Sequence, residues 1–155
     1  MADYDLDDRG IIIACANCGQ RNRLVFERLG DKIRCGNCKH ELSVPATPFE
    51  MRTSEDFDRL IQHSSLPVVV DYWAPWCAPC RAVAPELVKV AARAAGRFVV
   101  AKVNTEALSD ISPRFSIRSI PTLAVFSGGR EVTRTTGARP APEIEQFILQ
   151  ALKPN

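Results

Sequence analysis

Beyond residue 48 the hydrophobic positions follow two rhythms, and their alternation predicts the fold. Pro67 to Trp73 (PVVVDYW) is short and almost wholly apolar, as expected of a strand covered on both faces. Phe98 to Val103 reads as a second strand. Between them Val83, Leu87, Val90 and Ala94 recur at helical spacing within residues 78–95, and Gly96 stands where a helix stop is expected. Upstream, Thr53 heads an amphipathic run with Asp56 three residues on and Phe57, Leu60 and Ile61 apolar, the pattern of an N-capped helix. A short helix is expected from Glu106 towards Phe115. Thr122 to Phe126 and Glu131 to Thr136 flank Gly128-Gly129, a hairpin signal with a turn of two residues or slightly more. Glu143 to Leu152 places Ile144, Phe147, Ile148 and Leu152 on one face of a closing helix. Strand and helix in alternation predict an α/β fold, a sheet with helices on both sides that ends in an antiparallel hairpin.

The first 44 residues differ. They hold four cysteines and few large apolar side chains (Leu6, Ile11, Ile12, Ile13, Leu24, Val25, Phe26, Leu29, Ile33 and Leu42). A segment of that size usually needs a metal or a covalent staple to fold. Val44 to Pro48 (VPATP) then reads as a seam, its two prolines suppressing helix across the junction. The expected organisation is a small unit over 1–45 and a larger one over 46–155.

Composition narrows the function classes. The chain is 46% hydrophobic and 25% charged, ordinary for a globular protein, and its formal net charge of +2 gives no global attraction to nucleic acid or anionic membrane. No apolar run approaches the roughly 18 residues of a membrane span. The opening MADYDLDDRG is acidic and lacks the layout of a secretory signal. The expectation is a cytoplasmic monomer without a membrane partner.

All six cysteines fall in three Cys-x2-Cys pairs, and spacing alone does not say whether such a pair binds metal or does dithiol chemistry. In a reducing compartment both readings outrank structural disulfides. Cys77 and Cys80 lie where the buried strand gives way to a helix, and at i and i+3 their side chains share one face, close enough to bridge. The helix N-terminus stabilises a thiolate at Cys77, while Cys80, one turn further in, is expected to be the more shielded and to act as the resolving thiol. Pro79 is tolerated in the first turn. The bland alternative is a pair of inert core cysteines. Asp71 is a carboxylate within the apolar strand; either it is buried with a raised pKa or it faces water from an edge strand. Ile120-Pro121 precedes a strand, where a trans turn proline is the default. Trp73 and Trp76 read as flat walls of the site, and Pro85 as a helix kink.

The other two pairs have different surroundings. Neither Cys15-Cys18 nor Cys35-Cys38 follows Trp or encloses Pro, and the 16 residues between the pairs fall in the window of a four-cysteine zinc site. Gly19 and Gly36 suit the tight turns of metal knuckles. One tetrahedral Zn2+, structural or redox-responsive, is the expected ion, rubredoxin-like iron its rival, and His40 an alternative ligand to Cys38.

The segment PVVVDYWAPWCAPCRAVAP, with VAKVNTE, IRSIPTLAVF and TTGA downstream, closely resembles the thioredoxin family over roughly residues 47–153. With the cysteine-rich leader, the likeness extends to the bacterial zinc-containing thioredoxins, a zinc ribbon ahead of a central mixed sheet flanked by helices. The resemblance implies a cytosolic protein-disulfide reductase in which Cys77 attacks and Cys80 resolves. It implies that Asp71 lies buried behind the disulfide as a general base with Lys102 beside it. It further implies a cis bond before Pro121, and a substrate groove of Trp76, Ala78, Pro79, Ile120, Pro121 and Gly137. Thioredoxin reductase, fed by NADPH, is the implied electron donor and protein disulfides the substrates; no flavin or nucleotide motif occurs in the chain. One departure is Ala78-Pro79 between the cysteines, where the family usually has Gly-Pro, so the family's redox potential does not transfer directly.

A different class of function would use the cysteine-rich unit to bind nucleic acid or protein, with the larger unit as scaffold. Within residues 15–40, Arg21, Arg23, Arg28, Lys32, Arg34 and Lys39 outnumber Glu27 and Asp31. Asp3, Asp5, Asp7 and Asp8 of the leader offset that excess, and within residues 15–40 Phe26 alone offers a ring for stacking, which argues against nucleic acid.

Overall fold

A computed structural model describes residues 4–94 and 96–153. Its centre is a five-stranded mixed sheet: β6 (Phe49–Glu50), β7 (Val68–Trp73), β8 (Val99–Asn104), β9 (Thr122–Ser127) and β10 (Arg130–Thr136), in the order β10-β9-β7-β8-β6. β7 pairs in parallel with β8 and antiparallel with β9, which makes it the middle strand and explains its unbroken apolar run. Its side chains alternate between two cores. Val68, Val70 and Tyr72 join one that includes Phe57, Leu60 and Ile61 of α1 (Ser54–His63). Val69 joins another that includes Val83, Leu87 and Val90 of α2 (Ala78–Arg93) and Ile144 and Ile148 of α4 (Ala141–Ala151). Asp71 and Trp73 therefore share the α2 face.

The local signals act as chemistry dictates. The Thr53 hydroxyl caps α1 by accepting the Asp56 N–H at 3.0 Å. Gly128 and Gly129, with φ of 62° and 82°, close a two-residue hairpin turn between Ser127 and Arg130, and only glycine enters both conformations without penalty. The expected helix from Glu106 is shorter, forming as α3 (Ile111–Phe115). The Asn104 side chain accepts the N–H groups of Glu106 and Ala107 instead, and that local turn occupies the donors a helix would start from.

The cysteine-rich segment contains β1 (Tyr4–Leu6), β2 (Gly10–Ala14) and β3 (Arg21–Val25) in an antiparallel sheet, a 3-10 turn over Phe26–Arg28, and a ladder of β4 (Ile33–Arg34) and β5 (Glu41–Leu42). Its few large apolar groups do not stand alone. Ile11, Leu24, Phe26 and Leu29 are buried in the same core as Phe49, Phe57 and Leu60. Hydrogen bonds stitch the seam as well: Ser65 N–H to the Phe26 carbonyl at 2.9 Å, Gly30 N–H to the Ser65 hydroxyl at 2.9 Å, and Glu50 N–H to the Tyr4 hydroxyl at 2.6 Å. The proline-bearing seam itself has no regular structure, yet packing couples the segments on either side.

Candidate active site and metal centre

Cys77 is the N-cap of α2, in extended conformation (φ −88°, ψ 109°), because the chain must turn from β7 into the helix there. Its Sγ accepts the Cys80 backbone N–H at 3.2 Å, the helix's own orphan donor, and it is joined to Cys80 in a disulfide with Cα atoms 5.2 Å apart. An N–H placed at a helix-capping sulfur is the kind of donor that favours a thiolate. Greater shielding of Cys80 is not found in the oxidised form, since the two residues are 3% and 2% exposed. What separates them is position: Cys77 caps the helix and lies 3.8 Å from the Ile120 carbonyl, whereas Cys80 sits inside the first turn.

Asp71 is fully buried, and neither carboxylate oxygen has a hydrogen-bond partner among the described residues. Burial pushes its pKa up to about 7, with Lys102 pulling it down and Glu50 pushing it further up. The water-facing alternative is thereby ruled out, because β7 is an inner strand. Lys102 stands in register with Asp71 on β8, its Nζ 4.6 Å from the centre of the Trp73 ring. The Ile120-Pro121 bond is cis. Ile120 and Trp73 pack on the cluster of Ala74, Cys77 and Cys80, while Trp76, 68% exposed, projects beside them. Ala78 and Pro79 are exposed on the first turn of α2. Gly137 (φ 94°) donates its N–H to the Pro121 carbonyl at 2.9 Å, which ties the TTGA segment to the cis-proline.

One residue at this site escaped the sequence reading. Glu50 on β6 is in register with Lys102, and its Oε2 accepts the Trp73 indole N–H at 3.1 Å. A two-residue strand straight after the seam gives no periodicity from which to find it.

At the other end of the cysteine-rich segment, Cys15, Cys18, Cys35 and Cys38 converge, their four sulfurs within 4.8 Å of one another. The pairs Cys15/Cys38 and Cys18/Cys35 are 3.6 Å apart. A tetrahedron with metal–sulfur bonds of about 2.3 Å has sulfur spacings of roughly 3.8 Å, so the residues present fit a four-thiolate metal site. The two pairs are built alike. In each, the N–H of the residue after the second cysteine donates to the first cysteine's carbonyl: Gly19 to Cys15 at 2.8 Å and Lys39 to Cys35 at 3.0 Å. Both donors are left-handed, with φ of 80° and 66°, so the strained position in the second pair is Lys39 rather than Gly36. The asparagine before each second cysteine reaches across: Asn17 Nδ2 to Cys38 Sγ at 3.4 Å, Asn37 Nδ2 to Cys18 Sγ at 3.5 Å. The repeated Asn-Cys in CANC and CGNC was the available signal for these supporting groups. The Cys38 backbone N–H, with Asn22 and Asn37 assisting, draws the Cys35 thiol down to about 6. His40 is not in the cluster; its carbonyl accepts the Cys35 N–H.

A thioredoxin family model matches residues 48–150, two thirds of the chain. The chain belongs to the thioredoxin family. It is similar to thioredoxin C-3 of Corynebacterium nephridii, 40% identical over 144 residues, which covers 92% of this chain and 97% of that one. An alignment that long necessarily runs through much of the cysteine-rich segment. Thioredoxin 1 of Chlorobaculum tepidum is 41% identical over 99 residues, 64% of this chain and 98% of its own. The fold also matches a single-site mutant of a thioredoxin from Halobacterium salinarum NRC-1, with a TM-score of 0.66 over 74% of this chain and 98% of that one at 21% identity. As a thioredoxin, the chain is a thiol–disulfide oxidoreductase, and its four-cysteine cluster is consistent with the zinc-containing members.

Proposed function

We propose that this thioredoxin is a protein-disulfide reductase of the cytoplasm, built from a zinc ribbon over residues 1–45 and an oxidoreductase unit over 46–155. Cys77 thiolate attacks one sulfur of a substrate disulfide; the new mixed disulfide forms as the first substrate thiolate leaves. Asp71, near neutrality in its pKa, takes the proton of Cys80. Cys80 thiolate then attacks Cys77 Sγ, the second substrate thiolate departs, and the Cys77–Cys80 disulfide of the structure results. Two electrons pass to the substrate. NADPH, through thioredoxin reductase, returns two electrons and reopens the bond. Lys102 tempers the Asp71 charge, and Trp76, Ala78, Pro79, Ile120, Pro121 and Gly137 line the groove that receives the extended substrate.

The observation that carries this reading is the N-capping sulfur of Cys77 with Asp71 on the strand that leads to it, fully buried and without a hydrogen-bond partner among the described residues. For the cluster we propose one Zn2+ held by Cys15, Cys18, Cys35 and Cys38. Bound there, that ion would be redox-inert and would hold the four thiolates apart from the exchange reaction. The binding-module reading is less favoured because several local cations are already paired. Arg23 pairs with Asp7 at 2.6 Å, Arg28 with Asp31 at 3.1 Å, and Arg21 lies 3.9 Å from Asp5, which also pairs with Arg52. Asp3 lies outside the described residues. No helix among the described residues is long and apolar enough to cross a membrane.

Insulin reduction with NADPH and thioredoxin reductase, beside metal analysis, tests the proposal. Turnover with one zinc per chain is expected. A chain without reductase activity that instead binds random duplex DNA with a steep salt dependence would favour the binding module.

A further inference from the structure

Three strands line up three charged side chains on the face that carries the disulfide. Glu50 on β6, Lys102 on β8 and Asp71 on β7 share one register row, with Lys102 in the middle. Neighbouring strands lie about 4.8 Å apart, so Glu50 and Asp71 stand on the two sides of the lysine's backbone position, one strand away each. Among the described residues Lys102 closes no ion pair within 4.0 Å with either of them, and its Nζ rests over the Trp73 ring. The same indole donates its N–H to Glu50, which fixes that carboxylate beside the lysine.

We propose that Glu50 is a positioning residue for the dithiol chemistry: by sharing Lys102 with Asp71 from the opposite side, it prevents Asp71 from becoming the lysine's sole ion-pair partner. The inference rests on the proposed role of Asp71 as the base that serves Cys80. A carboxylate paired closely with lysine ionises early and is a weak base; one that must share the lysine with a second carboxylate retains its proton to higher pH. Electrostatics agree with the geometry, since Glu50 pushes Asp71 upward and Lys102 pulls it down. Glu50 is itself pushed up by burial, against the Trp73 indole, Lys102 and the Asn104 backbone. On the other side of Glu50 stands Tyr4 of β1, whose hydroxyl accepts the Glu50 N–H and feels the charges of both Glu50 and Arg52, the latter paired with Asp5.

Glu50→Gln tests this, because glutamine keeps an acceptor for the Trp73 indole and removes the charge. NMR titration of the Asp71 carboxyl in the reduced protein should show its midpoint moving acidward by about half a pH unit or more. The pH profile of insulin reduction should move with it. Glu50→Ala should shift the midpoint likewise if charge is the cause. An Asp71 midpoint unmoved in both variants overturns the inference. A moved midpoint with an unmoved rate profile upholds the coupling of Glu50 to Asp71 and overturns instead the role of Asp71 as the base.

Discussion

The same four-residue spelling, Cys-x-x-Cys, occurs in two environments of this molecule, and the backbone rather than the spacing decides what each can do. At Cys77 the chain leaves a buried strand for a long helix, and the Cys80 N–H points at the first sulfur. The second cysteine is held i+3 on the same helix face, so the two sulfurs meet only each other. At Cys15 and Cys35 no helix follows. A left-handed residue after each second cysteine turns the chain back, and each pair faces the other pair rather than itself. Two sulfurs on a helix make a two-electron couple, whereas four sulfurs on two turns make a cage for a cation.

The comparison is broken most severely at Cys77. Cys77→Ser should cut disulfide reduction by about a thousandfold or more, since the attacking sulfur is gone, while Cys80→Ser should accumulate mixed disulfides with substrate. Trapping that requires Cys80 would reverse the roles. By contrast Cys35→Ser, which breaks the cage, should lose metal and protection of residues 4–42 from hydrogen exchange yet leave the Cys77–Cys80 couple active.

The coupling between the two regions can be cut without touching a cysteine. Phe26 is 1% exposed in the shared core, so Phe26→Ala should cost about 3–5 kcal/mol by denaturant unfolding. A loss below about 1 kcal/mol would show that the cysteine-rich segment is only loosely attached. Removing residues 1–45 altogether would strip cover from Phe49 and Phe57, so the remaining unit should reduce disulfides but melt at lower temperature.

Asp71→Asn sharpens the comparison by altering the support of one pair alone. Asp71 titrates higher in the fold, at about 7, than in the unfolded chain. Stability from its proton is therefore full below the ordinary carboxylate range and is lost as pH rises through about 7. The variant should be more stable than the parent by a few kcal/mol at pH 8 and by almost nothing at pH 3, as read by unfolding at both values. Turnover near neutrality should fall in part. Equal stability at both pH values would contradict the burial argument.

The smallest effect is expected at Ala78. It is exposed between the thiols and contributes no chemistry, so Ala78→Gly should keep activity and move the redox potential by more than about 5 mV, equivalent to roughly 0.2 kcal/mol. A smaller shift in a glutathione titration would make the substitution silent.

Much of this was legible in the sequence because local chemistry wrote it there. The apolar run around Asp71 revealed an inner strand, and Thr53, Gly96 and Gly128-Gly129 marked ends and turns that the structure contains. Glu50 was illegible because its strand is two residues long and its importance arises from a lysine far along the chain. The burial of Ile11, Leu24 and Phe26 was equally hidden: sparse apolar residues look insufficient for a core until the second segment supplies the other half. Lys39 in the left-handed turn shows the limit of reading glycine as the sole mark of that conformation.

One cysteine pair should exchange electrons while the other two stay reduced on a metal. Redox-buffered alkylation tests it directly. The metal-loaded chain would be equilibrated across a series of glutathione potentials, alkylated, and each cysteine quantified by mass spectrometry. Cys77 and Cys80 should oxidise together along a single two-electron curve, while Cys15, Cys18, Cys35 and Cys38 stay thiolate and the metal remains bound. Oxidation of all three pairs along one common curve, or a Cys77–Cys80 pair that never responds, would contradict it.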